Sequence, residues 1–235
     1  MSGSLTWFEL KYISKTDFIT IFKDYSKPVG KLGDIPLTVS ISNLEEIETD
    51  IIQFEFQHDF KHSITVRERL VEYPFFHKAK FWAVFNENKS YILANGQKDS
   101  INYLNDALIK ICSDYSLEEE TMREIDIEPM KLDGEHLLEI TRVDALKITA
   151  RWFLNLGERE KSAFLSGTLK DENGNESDTY RELVKKAEKS TAFTFKSRKL
   201  GYSITISKSK ISSKVNEANN ESLVKYFKES ILNSI

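Results

Sequence analysis

The residues best suited to bind a ligand form a run of cations and hydroxyl groups near the end of the chain, TAFTFKSRKLGYSITISKSKISSK, residues 191–214. Long cationic side chains and short hydroxyls are the groups that hold phosphates, the first by charge and the second by hydrogen bonds. The wider window 181–214 contains ten basic and two acidic residues, a net charge of +8, although the whole chain carries −4. This concentration of charge predicts salt-dependent binding of a polyanion.

The same run reads as two strands around a turn that contains Leu200-Gly201. Because strand side chains alternate, Phe193 and Phe195 are expected on one face and the cations and hydroxyls on the other. A preceding helix, predicted to begin near Thr179, adds further cations at the edge of this surface. The residues expected to bind nucleic acid, DNA or RNA, are Lys185, Lys186, Lys189, Lys196, Arg198, Lys199, Lys208, Lys210 and Lys214.

Two other interpretations of this surface stay open. The polar face lacks the aromatic side chains on which single-stranded nucleic acids stack, and the sequence has no helix-turn-helix, zinc-finger or RNP signature. The cations could instead dock an acidic protein, a second copy of the chain, or the chain's own acidic segment 114–139. A solvated strand face is also commonly rich in lysine. The leading hypothesis is a non-enzymatic nucleic-acid-binding or nucleic-acid-associated accessory protein, and the alternative is a protein-interaction or assembly module.

Two motifs have the spacing of metal ligands, but each lacks a residue that the site needs. HDFKH places His58 and His62 four apart, with Asp59 where the zincin motif has glutamate, and strand-like residues on both sides favour a hairpin turn over a helix. DENGNESDTYRE, residues 171–182, has the spacing of a calcium-binding EF-hand loop with Glu176 where glycine is required. We therefore expect neither a bound metal nor a cofactor.

The signals for an enzyme are weak. A metal-dependent nuclease, the third hypothesis, would suit a basic surface, and Glu9-Leu10-Lys11 has its carboxylate-x-lysine form without the upstream aspartate. The chain has no glycine-rich phosphate loop and no Gly-x-Ser-x-Gly elbow. The single cysteine, Cys112, is expected to be a buried apolar residue. A catalytic role is therefore not favoured.

Composition indicates a globular protein that works in the cytoplasm. The hydrophobic fraction is 40% and the charged fraction is 30%, with 15 Phe and 9 Tyr to fill a core. One cysteine excludes an intramolecular disulfide. No apolar stretch approaches the ~20 residues that span a bilayer, and the first residues lack the pattern of a secretory signal, so no membrane partner is expected.

Charge also divides the chain. Residues 114–139 contain ten acidic and two basic residues, a net charge of −8, together with Pro129 and the turn-forming pair Asp133-Gly134. This predicts an N-terminal lobe, 1–113, an acidic connector, 114–140, and a C-terminal lobe with the basic sheet, 141–235. The expected fold class is α+β, with two small lobes that are each an antiparallel sheet packed with one or two helices.

Hydrophobic periodicity locates the elements of the two lobes. In the first, strands are predicted at LTWFELKYI, IPLTVSIS, IIQFEFQH, SITVRERLVEY and KFWAVFNENKSYILANG. A helix between the first two strands carries Phe18, Ile21, Phe22 and Tyr25 and is expected to be capped by Thr16 or Asp17 and to stop at Pro28. In the second lobe, alternation from Leu146 to Leu154 predicts a strand, with a helix as the alternative, and a closing helix uses Leu223, Phe227 and Ile231.

Overall fold

The computed structural model describes residues 4–86, 89–95, 106–108, 110–111, 126–153, 177–178, 181, 190–213 and 220–234. Its first strands and helix are β1 Ser4–Lys11, α1 Lys15–Phe22, β2 Ser26–Leu32, β3 Ile35–Glu48, β4 Ile51–Val66, β5 Arg69–Phe85 and β6 Ser90–Asn95. The remaining elements are β7 Asp126–Pro129, α2 Gly134–Asp144, β8 Ala145–Phe153, β9 Ser190–Ser197, β10 Ser203–Ser207, β11 Lys210–Ser212 and α3 Asn220–Tyr226. The chain continues from α3 into a π-helical turn, Phe227–Ile231, and a 3-10 turn, Leu232–Ser234.

The expected fold class, α+β with a separate sheet in each of two lobes, is wrong. Eleven strands of the described residues belong to one mostly antiparallel sheet, in the order β2-β3-β4-β5-β6-β1-β11-β10-β9-β8, with β7 also pairing with β1. Helices are few beside this sheet. The physical reason is that strands pair through backbone groups that every residue carries, so side-chain alternation locates a strand without showing which strand lies next to it.

The chain divides into two compact units, and the boundary between them falls within β1, after Trp7. We call Phe8–Glu128 the hairpin unit, after its longest feature. Met1–Trp7 together with Pro129–Ile235 form the terminal unit.

An aromatic cluster forms the core of the hairpin unit. The ring of Phe18 on α1 lies 4.5 Å from Phe22, 5.6 Å from Phe54 and 5.5 Å from Phe85, measured between centroids. Helix α1 begins earlier than expected, because the Ser14 hydroxyl, rather than Thr16 or Asp17, caps it by accepting a hydrogen bond from the backbone N–H of Asp17. Phe18, Ile21 and Phe22 are buried as predicted, but the helix ends at Phe22, so Tyr25 lies beyond it.

The terminal unit contains the strand pair that the basic run predicts. Strands β9 and β10 pair in antiparallel register, with Phe195 opposite Ile204 and Phe193 opposite Ile206, and all four side chains are buried. The closing helix is also confirmed, because its predicted apolar residues Leu223, Phe227 and Ile231 are buried. The Phe227 ring lies 5.2 Å from the ring of Trp7 on β1.

Helix α2 is an element that the sequence patterns did not predict. Asp133 and Gly134, interpreted as turn residues, are its N-cap and first residue, and the Asp133 carboxylate accepts hydrogen bonds from the backbone N–H groups of Glu135 and His136. An aspartate favours turns and helix N-caps for the same reason, since its side chain bonds to nearby backbone N–H groups. Leu137, Leu138 and Ile140 on this helix are buried.

A buried carboxylate joins α2 to the β9–β10 turn and to α3. Asp144, 2% exposed, accepts hydrogen bonds on Oδ1 from the backbone N–H groups of Arg198 and Lys199 at 3.1 and 3.0 Å. The Tyr226 hydroxyl donates to Oδ2 at 2.9 Å. Each oxygen of the carboxylate therefore has a donor, which is the condition for burying such a group without a large penalty.

We expect Tyr226→Phe to lower the free energy of unfolding by about 1–3 kcal/mol, because it leaves Oδ2 of Asp144 buried without this donor. Tyr202→Phe is the matched control, since the Tyr202 hydroxyl shares its hydrogen bond with Ser222 at a half-buried site. Urea denaturation of both variants measures the difference. An equal loss in the two variants would contradict the importance of the Asp144 contact.

Alkaline pH should weaken the same contact. Burial raises the pKa of Tyr226, and the Asp144 carboxylate raises it further. Because the folded state holds the phenolic proton more tightly than the unfolded state, this stabilisation is present below about pH 10 and is lost as the pH rises above it. Unfolding measured from about pH 8 to 11 should show a smaller loss of stability for Tyr226→Phe than for the natural chain.

The β4–β5 hairpin ends in a two-residue turn of unusual composition. Val66 pairs with Arg69, and Arg67 and Glu68 between them have φ angles of 48° and 65°. Two positive φ angles define a type I′ turn, whose twist matches that of the strands and which favours Asn-Gly. Arg and Glu adopt this left-handed conformation at a cost of about 1 kcal/mol or more each.

Arg67→Asn with Glu68→Gly should therefore raise the free energy of unfolding by about 1 kcal/mol. The control is Lys208→Asn with Ser209→Gly in the β10–β11 turn, where neither residue has a positive φ. Glycine there adds only freedom to the unfolded chain, so the control should be neutral or destabilising. Denaturation midpoints of the two double variants give the comparison, and a gain in the control alone would refute the explanation.

Candidate nucleic-acid interface

Cations and hydroxyls align in cross-strand rows on the terminal unit's sheet. Lys147 of β8 lies opposite Lys196 of β9, which in turn lies opposite Ser203 of β10. A second row contains Thr194 and Thr205, which share a hydrogen bond of 2.8 Å, and Ser212 of β11. A third row contains Ser207, Lys210 and Thr6. We call these nine residues the basic sheet face.

The basic sheet face is opposite to the core face of the same strands. Phe193, Phe195, Ile204 and Ile206 occupy the intervening positions and are buried. Lys147, Lys196 and Lys210 are exposed, whereas Thr194 and Thr205 between them are half-buried. The hydroxyls therefore form a floor from which the long lysine side chains extend into solvent.

The three lysines of this face are not neutralised within the part of the chain that the structure describes. Salt bridges among the described residues involve other cations, among them Lys11, Lys15, Lys61, Lys78, Lys89, His136, Arg142 and Arg181. Lys147 and Lys196 are direct cross-strand neighbours, an arrangement in which like charges repel. A bound anion would relieve this repulsion.

The spacing of the lysines suits an extended ligand. Lys210 lies two strands from Lys196 and about four residues further along the sheet. At about 4.8 Å between strands and 3.3 Å per residue, the two side chains start roughly 16 Å apart. The face can therefore contact several phosphates of one chain instead of a single small anion.

The predicted site residues divide into several groups. Lys196 and Lys210 belong to the basic sheet face. Arg198 was expected on the strand but lies with Lys199 in the β9–β10 turn, and Lys208 lies half-buried in the β10–β11 turn. The remaining predicted residues, which lie outside the described residues, are Lys185, Lys186, Lys189 and Lys214.

Lys199 has a structural contact. Its ammonium group donates to Ser230 Oγ at 2.8 Å and lies 3.4 Å from the backbone carbonyl oxygen of Glu229. A cation that bonds to carbonyls and hydroxyls near the end of a helix stabilises that end. Lys199 therefore holds the π-helical turn, and we do not include it in the basic sheet face.

Lys147 is the residue that sequence reasoning missed. The alternation from Leu146 onward predicted the strand, but not that its neighbour is β9. The register shifts between Ala145 and Lys147, which places both Leu146 and Lys147 in exposed positions. The strand prediction alone could have identified a solvent-facing lysine, although its position beside Lys196 depends on the pairing.

Glu9 and Lys11, the residues of the carboxylate-x-lysine pattern, have other partners, as does Glu55 on β4. Glu9 lies 3.8 Å from Lys89, and Lys11 pairs with Glu128 at 2.6 Å. Glu55 binds Lys78, whose hydrogen bond is the main reason that the pKa of this carboxyl is lowered. No group of three or more potential metal ligands occurs among the residues described, and positions 171–176 of the EF-hand-like segment lie outside them.

His58 and His62 lie within β4, not in a hairpin turn as expected. Four residues of strand separate them by about 13 Å, too far to share one metal ion. The ring of His62 instead lies 5.2 Å from Tyr73 of β5, and the ring of His58 lies 6.3 Å from Phe60 on its own strand. Phe60 in turn contacts β5, with centroid distances of 5.3 Å to Phe75 and 4.9 Å to His77.

Asp59, the residue in the position of the zincin glutamate, serves the hairpin itself. Its carboxylate accepts hydrogen bonds from the backbone N–H and hydroxyl of Thr38 at 3.0 and 2.9 Å and from the side chain of Gln57 at 2.9 Å. Desolvation acts to raise the pKa of this carboxyl, but the hydrogen bonds outweigh it and the pKa is lowered. Asp59 therefore ties β3 to β4.

The comparisons with known proteins add no homologue to this geometry: no protein-family model and no curated protein matches the sequence. None of the helices in the described residues combines the length and apolar character needed to cross a bilayer.

Mild acid should destabilise the hairpin unit through His58. Desolvation lowers the pKa of His58, so the folded state binds its proton less readily than the unfolded state. Stability is then present above about pH 6.5 and is lost as the pH falls below it, by at most about 1.4 kcal/mol per pH unit. Urea titrations from about pH 7.5 to 5 should show a smaller loss for His58→Gln than for the natural chain. His62→Gln, at an exposed position of the same strand, should leave the loss unchanged.

Proposed function

We propose that this protein is a non-enzymatic nucleic-acid-binding protein, which holds the phosphate backbone of DNA or RNA on the basic sheet face. The observation that carries the proposal is the alignment of Lys147, Lys196 and Lys210 with hydroxyl groups across four neighbouring strands. The cytoplasm is the proposed site of action.

The chemistry of the face supports a phosphate ligand. An ammonium group attracts a phosphate from several directions, and hydroxyls such as those of Ser203 and Ser212 can donate a positioned hydrogen bond to its oxygens. The face carries no carboxylate among its nine residues, so an approaching polyanion meets only attractive charge. Contacts of this type bind the backbone and not the bases, which predicts similar affinity for unrelated sequences.

The spread of the face favours a polymer over a free phosphate. Three cations that start from points up to roughly 20 Å apart can be satisfied together only by a ligand with charges at comparable separations. Each phosphate contact releases condensed counterions, so the affinity depends steeply on salt.

Replacing Lys147, Lys196 and Lys210 together by Gln should weaken binding to every sequence alike. The slope of log K against log salt should become shallower by roughly 2 to 3, about one for each lysine. Fluorescence anisotropy of labelled single- and double-stranded DNA and RNA, between about 50 and 200 mM salt, measures both quantities.

The matched control is Lys23, Lys31 and Lys110 replaced together by Gln, which removes the same charge from exposed positions of the hairpin unit. Binding by this control should retain the natural slope. Equal loss in both triple variants would mean that net charge alone attracts the ligand, and no binding at the lower salt concentration would refute the proposal.

A further inference from the structure

The distal part of the β4–β5 hairpin is a two-stranded ribbon. In the described residues, β3 pairs with β4 no further along the chain than His58, and β6 pairs with β5 only from Lys80 onward. The hairpin itself continues in register to the Val66–Arg69 pair. We call residues 59–76 the ribbon. A hairpin of two strands is only marginally stable in water unless another layer covers one face.

One face of the ribbon continues the hydrophobic face of the hairpin unit's core. Phe54 and Phe56 of β4 are buried in that core, and every second residue beyond them points to the same side. The members of this side within the ribbon are Phe60, His62, Ile64 and Val66 on β4 and Arg69, Val71, Tyr73 and Phe75 on β5. We call these eight residues the ribbon face.

Four apolar members of the ribbon face are exposed to solvent. The exposed fractions are 40% for Ile64, 44% for Val71, 45% for Phe75 and 47% for Val66. A contiguous apolar patch of this kind is typical of an interaction surface. The alternation of apolar residues that forms the core therefore continues into the ribbon, where no described element of the hairpin unit covers the apolar face.

The charges of the ribbon indicate the kind of partner. The ribbon carries three basic and three acidic residues, so its net charge is zero. Its carboxylates lie on the opposite face or in the turn, and one of them, Glu72, is paired with Lys61 at 2.6 Å. The only permanent charge on the ribbon face is Arg69, beside the turn. A neutral apolar surface is complementary to another surface of the same kind and has little attraction for a polyanion.

We infer that the ribbon face docks against the ribbon face of a second copy of this chain, around a twofold axis. Such an arrangement is self-complementary, because each apolar row meets its own equivalent, and neither copy brings a carboxylate into the contact. It also supplies the missing second layer for both ribbons. Two such faces together would bury on the order of 1,000 Å², near the lower limit for a specific interface, which predicts a reversible dimer with micromolar affinity.

Neighbouring phenylalanines on opposite sides of the ribbon provide the test. Phe75 lies on the ribbon face, whereas Phe76, 57% exposed, lies on the other side opposite Asp59. Sedimentation equilibrium over about 1 to 100 µM measures dimerisation of the natural chain, Phe75→Lys and Phe76→Lys. Both variants replace a phenylalanine by a lysine, so they change charge and volume equally on the two sides of the ribbon.

We expect the natural chain and Phe76→Lys to dimerise with similar dissociation constants, and Phe75→Lys to raise that constant at least tenfold. Val71→Lys should repeat the effect of Phe75→Lys, and Leu70→Lys on the opposite side should not. Circular dichroism of each variant confirms that it is folded before the comparison. A natural chain that stays monomeric at 100 µM, or a Phe76→Lys variant that dissociates as readily as Phe75→Lys, would overturn the inference.

Oligonucleotide binding by the same variants separates this inference from the proposed function. Phe75→Lys should bind labelled DNA and RNA with the natural affinity, and the triple lysine variant of the basic sheet face should still dimerise. If the natural chain is monomeric and Phe75→Lys loses oligonucleotide affinity, the ribbon face binds nucleic-acid bases and the dimer is refuted.

Discussion

The arrangement of the terminal unit depends on the buried carboxylate of Asp144. Because it sits at the end of α2, accepts from two backbone N–H groups of the β9–β10 turn and is bonded by Tyr226, it ties together three segments far apart in sequence. A carboxylate buried with fewer donors would be strongly destabilising. The three segments can therefore separate only if the carboxylate of Asp144 becomes exposed to water. The turn is held by its backbone, and β9, one of the two strands that it joins, carries Lys196 on the basic sheet face.

Each of the two candidate surfaces contains an unfavourable interaction that the described residues leave in place. On the basic sheet face, Lys147 and Lys196 place like charges side by side, which costs free energy until an anion arrives. On the ribbon face, Ile64, Val71 and Phe75 keep apolar area in water, which costs free energy until another apolar surface covers it. The two proposed ligands therefore differ in chemistry, a polyanion for the basic sheet face and an apolar protein face for the ribbon face, and each proposal can be tested without the other.

Side-chain periodicity predicted local structure well and the sheet poorly. The alternation around Phe193 and Phe195 identified β9 with its buried face, and the spacing of Leu223, Phe227 and Ile231 identified the closing helix. The same patterns did not predict α2, because its capping residues resemble those of a turn. They predicted two sheets in place of one, because a strand edge presents the same N–H and C=O groups whatever its sequence.

The sequence by itself determined many of the strands, most of their apolar faces, and that cations gather near residues 181–214, since these properties depend on neighbours along the chain. Only the tertiary structure decided what lies beside them. In the folded chain Lys147 lies next to Lys196, and Lys199 bonds to Ser230 in the π-helical turn. His58 and His62 lie apart along one strand. The physical reason is that strand register comes from long-range backbone hydrogen bonds, which leave no periodic signal in the side chains.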